Sequence, residues 1–260
     1  LCQHLPGASA PQETLVVMEA TGTYWLGLAW YLHQRGYQVS VLNPAQARHF
    51  ARMQLQRTKT DAVDARLLMD FGRLMDPPLW TPPPVICEQL QQRLALREDL
   101  LEMRGQDRNR LHALQQNPHA DPAVVARLKQ HSAYLTAEIK ALEAEIKALL
   151  QSEHAWANAA QHLLSIIGIG LITAAWILVT THAFARCDSP EQAASFAGLA
   201  PHARESGSSL RGRRSVGHGG HAALRRNLYM AAGSAVRFNK PVKQFYDRLL
   251  DRGKPKMVAR

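Results

Sequence analysis

Three serines crowd a short stretch of arginine and glycine. Between Pro201 and Leu228 the chain reads PHARESGSSLRGRRSVGHGGHAALRRNL. Ser206, Ser208 and Ser209 sit among Gly207, Gly212, Gly217, Gly219 and Gly220, with Arg204, Arg211, Arg213 and Arg214 around them. Arginine makes planar, bidentate contacts to phosphate. Glycine tolerates backbone conformations that other residues resist, and lets a polymer come close. A hydroxyl in that setting can bind a phosphate or attack one. Arg225 and Arg226 on the next helical segment add two candidate nucleic-acid contacts, with a solvated helix face as the plain alternative.

A second candidate set lies far away in sequence. Glu19 closes the β-branched run TLVVM, and Asp61 and Asp64 follow within RTKTDAVDARLL. Residues three apart on a helix share a face. One acid at a strand tip and two on a helix can hold a divalent metal beside a phosphodiester, because hard cations prefer oxygen ligands and can clamp attacking and leaving oxygens. By spacing alone the pair reads first as charge suited to a helix N-terminus. His218 and His221 have no nearby Cys or carboxylate partner in sequence, so they read as phosphate or packing contacts rather than metal ligands.

Charge separates the two ends. The chain of 260 residues carries a net charge of +10. Residues 201–260 hold 14 Lys and Arg against 3 acids (Glu205, Asp247 and Asp251), so the remainder is close to neutral. A basic segment of this kind points to a polyanion partner. The 3 cysteines are widely spaced and fit neither a disulfide framework nor a zinc pattern, which suits a reducing, cytoplasmic setting. Leu163–Thr181 is uncharged over 19 residues, but Gly168 and Gly170 interrupt it and three threonines dilute it, so no membrane span is expected. The chain opens on Leu1 and closes in KPKMVAR, so further sequence is expected beyond both ends.

The positioning elements can be read in order. Thr14–Met18 is predicted as a strand, Tyr24–Gln34 as a helix and Tyr37–Leu42 as a second, parallel strand. The helix is rich in Tyr24, Trp25, Trp30 and Tyr31, which are expected in a core. A short helix should begin at Ala45, and Thr60 should cap one that starts at Asp61. Pro77, Pro78, Pro82, Pro83 and Pro84 mark a linker. Two long helices follow, at about 85–116 and 122–152. Leu135, Ile139, Leu142, Ile146 and Leu149 on the second form a coiled-coil seam. Its partner is the preceding helix, a second copy, or both. The turn Ile166–Gly170 either presents backbone N–H groups to a phosphate or packs two helices closely. A helix at about 221–237 and a basic tail complete the chain. The fold class is α/β plus all-α, with domains at 1–76, 77–152 and 153–260.

Five motifs together resemble one known family. They are MEATGTYW (18–25), VLNPAQAR (41–48), KTDAVDARLL (59–68), LLSIIGIG (163–170), and FAGLAP followed by SG and GHGGHAALRRNL (196–228). The chain is similar in these, and in their order, to the transposases of insertion-sequence family 110. These are bridge-RNA-guided recombinases that join a DEDD, resolvase-like RNase H domain to a C-terminal serine domain. The resemblance implies a truncated RNase H-like domain, long coiled-coil helices and a helical transposase domain with a helix-hairpin-helix-like turn. It implies that Glu19, Asp61 and Asp64 are the second, third and fourth acids and hold Mg²⁺. Ser206 becomes the nucleophile, with Ser208 and Ser209 as rivals. Arg204, Arg211, Arg213, Arg214, Arg225, Arg226, Gly168 and Gly170 become nucleic-acid contacts. The family's first aspartate lies on an opening strand that would precede residue 1, so three acids alone imply impaired metal binding and weak catalysis.

The implied chemistry is DNA transposition through a covalent serine–phosphate link. The implied partners are DNA, a guide RNA and further copies of the chain, as a dimer or tetramer, with no membrane. Two other readings stay open on the residues. One is a non-catalytic nucleic-acid-binding remnant of a transposase. The other is a metal-dependent junction nuclease that uses water in place of serine.

Overall fold

The computed structural model describes residues 10–56, 58, 60–202, 205–206, 210–211, 215–216 and 219–259, and between 201 and 216 the backbone alone. The chain divides into two compact units, Leu1–Pro82 and Pro83–Arg260.

The first unit is built on a parallel strand pair. β1 (Leu15–Glu19) lies beside β2 (Gln38–Leu42), with Glu19 opposite Leu42. α1 (Tyr24–Gln34) connects them. Strand side chains alternate between faces, and this alternation sorts the core. Met18 and Val39 pack against Ala29 and Leu32 of α1. Leu42 turns the other way with Val17, toward Phe50 of α2 (Pro44–Met53) and Phe71 of α3 (Asp61–Met75). Both faces of the pair are therefore covered, as parallel strands require. Gly72 makes the close seat of α3 possible: a Cβ there would stand 2.8 Å from Val17 Cγ2.

Two expectations for this unit change. The proline-rich segment is not all linker, because its first half is tied to β2. Trp80 N–H donates to Val39 O at 2.7 Å, and Ser40 Oγ donates to Pro78 O at 3.0 Å. Trp80 then receives the edges of Trp25 and Trp30, each at 6.1 Å between ring centroids. Both tryptophans are half-buried and only Trp25 packs against the buried cluster, while Tyr24 is 93% exposed. Tyr31 lies on the surface beneath the Arg35 guanidinium, 3.7 Å from its ring centroid. Position on the helix decides this, since a tyrosine can place its ring in water at little cost.

The second unit is helical. α4 (Val85–Gln115) and α5 (Pro122–Ser152) form an antiparallel hairpin. The ion pairs Arg93–Glu145 and Arg97–Glu143 and the buried Asp107–His131 contact fix its register. The seam on α5 buries Leu135, Ile139, Leu142, Ile146 and Leu150. Leu150, not Leu149, is the last buried position, because the bottom of α5 meets α6 and α7 as well as α4. The preceding helix is thus a partner of the seam. Asp107 is 2% exposed and receives His131 Nδ1 at 2.6 Å and Arg110 Nη1 at 3.3 Å.

α6 (His154–Leu164) ends as the uncharged stretch begins, and α7 (Leu171–Thr181) forms the rest of it after the turn. α7 is buried nearly all round and packs against α4, α6 and α9 (Ala222–Phe238). This explains its lack of charge without a bilayer: among the described residues no helix is long and apolar enough to cross a membrane. Cys87 of α4 is buried against α7, where its thiol donates to Val179 O at 3.3 Å. Burial, helped by the Glu88 charge and opposed by Arg186, pushes that thiol up to about 11, so it is an inert core group. α8 (Pro190–Phe196) leads to a ribbon that the sequence left without regular structure. β3 (Pro201–His202) pairs antiparallel with β6 (Ser215–Val216), and β4 (Glu205–Ser206) with β5 (Leu210–Arg211). After α9 come α10 (Lys240–Asp251) and α11 (Lys256–Ala259).

The seam register is testable. Leu150→Ala should lower unfolding stability by about 2–5 kcal/mol in urea titrations, the range for a fully buried leucine. Leu149→Ala should cost clearly less, and equal losses would contradict the register described.

Candidate functional site

The first unit gathers acids at the C-terminal edge of its parallel strands, where open α/β sheets generally bind ligands. Glu19 is the last residue of β1 and shares the face of Val17, toward α2 and α3. It lines a cavity of about 230 Å³ with Arg48, Gln56, Thr58 and Asp64, over a floor that includes Leu67 and Leu68. Thr21 Oγ1 donates to Glu19 Oε1 at 2.6 Å. The supports are local and legible. Thr60 caps α3 by accepting from Val63 N, which fixes the first turn that carries both aspartates. Asn43 and Gln46 form a reciprocal cap at the start of α2: Asn43 Oδ1 accepts from Ala45 N at 2.8 Å, and Gln46 Oε1 accepts from Asn43 N at 3.1 Å.

Two of the three expected acids meet here. Asp64 is half-buried in the cavity wall with Glu19. Asp61, three residues earlier, is exposed and is not among the lining residues. Among the described residues no three His, Cys, Asp or Glu side chains form a metal-holding group. The donor set still suits a hard cation in part, since Mg²⁺ is commonly bound through one or two carboxylates together with substrate phosphates. Arg48 was missed by sequence reasoning. Its signal was present: Pro44, Ala47, Arg48 and Ala51 recur at helical spacing, and all four line the cavity.

The second unit carries the serine. Ser206 ends β4 opposite Leu210, and Arg211 on β5 lies opposite Glu205. Arg204, Ser208, Ser209, Arg213, Arg214 and His218 lie outside the described residues. What the structure describes in full is the base of the ribbon. Gly198 (φ +69°) and Gly220 (φ +81°) meet backbone to backbone. A Cβ on Gly198 would run into the Gly219 carbonyl and the Arg225 guanidinium, and one on Gly220 would run into Gly198. Arg225 Nη1 donates to Gly219 O at 2.9 Å and to Ala197 O at 3.3 Å, and His221 N–H donates to Phe196 O at 2.8 Å. The strands entering and leaving the ribbon are thereby clamped together.

His221 also caps α9. Its Nδ1 accepts from Leu224 N at 3.3 Å, and its ring lies 4.8 Å from that of buried Trp176. Burial lowers the His221 pKa, which keeps the ring neutral and able to accept. It is therefore a packing and capping histidine. Arg225 and Arg226 have intramolecular partners that the sequence did not reveal: Arg225 holds the clamp, and Arg226 pairs with Glu98 Oε2 of α4 at 2.7 Å. The two glycines of the α6–α7 turn differ. At Gly168 (φ +109°) a Cβ would come within 2.7 Å of Ala235 Cβ, and Asn239 Nδ2 donates to Ile167 O at 3.2 Å, so this turn packs closely on α9. Gly170 is exposed, with open space around its Cα, at the uncapped start of α7.

Residues 2–118 match a family described as transposase, and residues 160–247 match the IS116/IS110/IS902 transposase family. The pilin gene-inverting proteins of Moraxella bovis and Moraxella lacunata are 32% and 31% identical over 243 residues, covering 93% of this chain and 73% of each of theirs. An uncharacterized 43.6 kDa protein of insertion element IS110 from Streptomyces coelicolor is 35% identical over 115 residues, which is 44% of this chain and 27% of that one.

The clamp and the cap give two expected outcomes. Gly198→Ala should destabilise the second unit, because both the positive φ and the Gly219 contact are lost, and thermal unfolding should show a drop of about 1–3 kcal/mol or more. The lowered pKa of His221 sets the sign of a pH effect. The unfolded chain takes up the proton first, at about pH 6.5. The contribution of His221 is whole above that pH and is lost as the pH falls toward the folded pKa. His182, lowered by burial and by Arg186, acts in the same direction. The stability difference between wild type and His221→Asn, an N-cap that does not titrate, should therefore shrink or reverse from pH 7.5 to 5.5.

Proposed function

Because the chain belongs to the IS116/IS110/IS902 transposase family, we propose that it cuts and rejoins DNA through Ser206, helped by the acid cavity of its first unit. The observation that carries this reading is the meeting of Glu19 and Asp64 with Arg48 at the carboxyl end of parallel strands. A strand-tip acid facing a helix-borne acid across a small cavity, with a guanidinium on the same wall, suits a phosphodiester with an attendant cation. We read this unit as part of an RNase H-like domain.

The reaction would balance as follows. The Ser206 hydroxyl oxygen attacks a DNA phosphorus and forms a phosphoserine ester. The bond from that phosphorus to a deoxyribose oxygen breaks, and the departing oxygen takes a proton as a free DNA hydroxyl. The serine proton passes to a base near the attacking oxygen. Bond energy is conserved in the ester, so a second DNA hydroxyl can reverse the step and join a new strand. Mg²⁺ held by Glu19 and Asp64, with Asp61 three residues away, would ease serine deprotonation and offset charge on the phosphate. Arg204, Arg211, Arg213 and Arg214 would hold the backbone, and the free N–H groups after Gly170 offer a further phosphate contact.

Target choice by a guide RNA follows from the family resemblance, with base pairing reading sequence and protein reading backbone and shape. A homo-oligomer is supported by Leu96 and Met103 on α4 and Tyr134 on α5, large side chains that the hairpin leaves exposed. A second reading, a metal nuclease that uses water, is favoured by the fact that both cavity acids and Arg48 lie in a unit that does not include Ser206.

One experiment separates these. The chain, joined to any upstream strand its gene encodes, is incubated with DNA and Mg²⁺ and examined for a covalent protein–DNA adduct. Ser206→Ala should abolish the adduct and leave DNA binding intact. Glu19→Gln and Asp64→Asn should each reduce it by about 10²-fold or more. Adducts that persist in Ser206→Ala would sink the Ser206 assignment, and cleavage without any adduct would favour water.

A further inference from the structure

The C-terminal helices carry a surface that neither the acids nor the ribbon uses. α9 and α10 enclose a cavity of about 390 Å³ lined by Met230, Val236, Arg237, Phe238 and Tyr246, among others. Its size falls in the range of small-ligand sites, about 300–1,000 Å³. Phe238 is 70% exposed and Met230 63%, and on α10 Phe245 is 51% exposed with the Arg248 guanidinium 5.2 Å from its ring centroid. Large apolar groups left in water in one place mark a contact surface.

Charge decides what fits. Residues 222–259 hold nine Lys and Arg against two acids, Asp247 and Asp251. Arg237 lines the cavity itself, and Lys240 opens the next helix. Aromatic residues, Met and Arg also line protein–protein contacts, but the excess of cations over acids in this segment favours a polyanion. Exposed aromatic rings interleaved with cations are how proteins hold single strands: the rings stack on bases, and the cations follow the phosphates. A base locked in a duplex cannot offer its face to such a cavity.

We propose that the α9–α10 cavity receives an unpaired nucleobase, stacked by Phe238 and Tyr246, with the adjoining phosphate at Arg237. The site shares no lining residue with the acid cavity, and it rests on the nucleic-acid reading given above. In a strand-exchange enzyme it would hold a strand whose pairing has been opened.

The test uses the whole chain with a labelled oligothymidylate of about 16 nucleotides and a duplex of the same length. Phe238→Ala and Tyr246→Leu should each weaken oligothymidylate binding about tenfold and leave duplex binding unchanged, and Phe238→Trp should restore it. Single-strand binding within about twofold of wild type in both variants overturns the proposal, since loss of a stacked ring costs more. Wild-type protein with 5-iodouracil in the strand provides a readout independent of variant folding. Crosslinks at Phe238 or Tyr246 are expected, and crosslinks found only elsewhere overturn it. A change in self-association with Phe238→Ala, and none in strand binding, gives the cavity to a second copy and also overturns it. If wild type binds neither strand, the DNA reading fails with it, whereas retained duplex binding confines the failure to this cavity.

Discussion

A contact that only glycine permits holds the base of the serine ribbon. Gly198 and Gly220 bring two backbones together at positive φ, and Arg225 bridges the carbonyls of Ala197 and Gly219 across them. Beneath this clamp His221 starts α9 and rests on Trp176 of α7, the most buried helix of the unit. The base of the ribbon is thus referred back to a packed core. Any side chain at Gly198 or Gly220 would separate the two ends of the ribbon.

The acid cavity is built by a different device. A two-stranded parallel pair exposes Glu19 at its tip, and two caps hold the neighbouring helices at the correct height. Asn43 and Gln46 fix α2, and Thr60 fixes α3. Each cap acts locally, so the geometry of Glu19, Arg48 and Asp64 follows from short segments seated on one core. Leu42, Phe50 and Phe71 supply that core, with the two rings edge to face at 5.1 Å.

Much of this was legible beforehand, because it depends on local signals. The helix Tyr24–Gln34, the cap at Thr60 and the long helices are all written in periodicity and punctuation, whereas the turn at Gly168 reads as a phosphate contact or a packing turn until Ala235 is seen against it. What was not legible depends on distant partners. Trp80 sits among prolines and reads as linker, yet β2 and two tryptophans claim it. Arg226 reads as a nucleic-acid contact, yet Glu98 lies 128 residues away in sequence and 2.7 Å away in space. Leu149 and Leu150 are equal by composition, and only the presence of α6 and α7 decides between them. Asp61 and Asp64 share a helix face by spacing, but the rise of three residues carries Asp61 out of the cavity that Asp64 lines. The four ribbon strands of two residues each are too short for any periodicity to show.

The buried carboxylate of Asp107 has a consequence for the arm. Its two partners come from different helices, Arg110 one turn along α4 and His131 from across the hairpin. A slide of one helix past the other would separate the buried carboxylate from His131 and leave it only Arg110 of its own helix. Apolar side chains alone would tolerate such slippage, since one leucine resembles the next. The arm is therefore held to one register along its whole length.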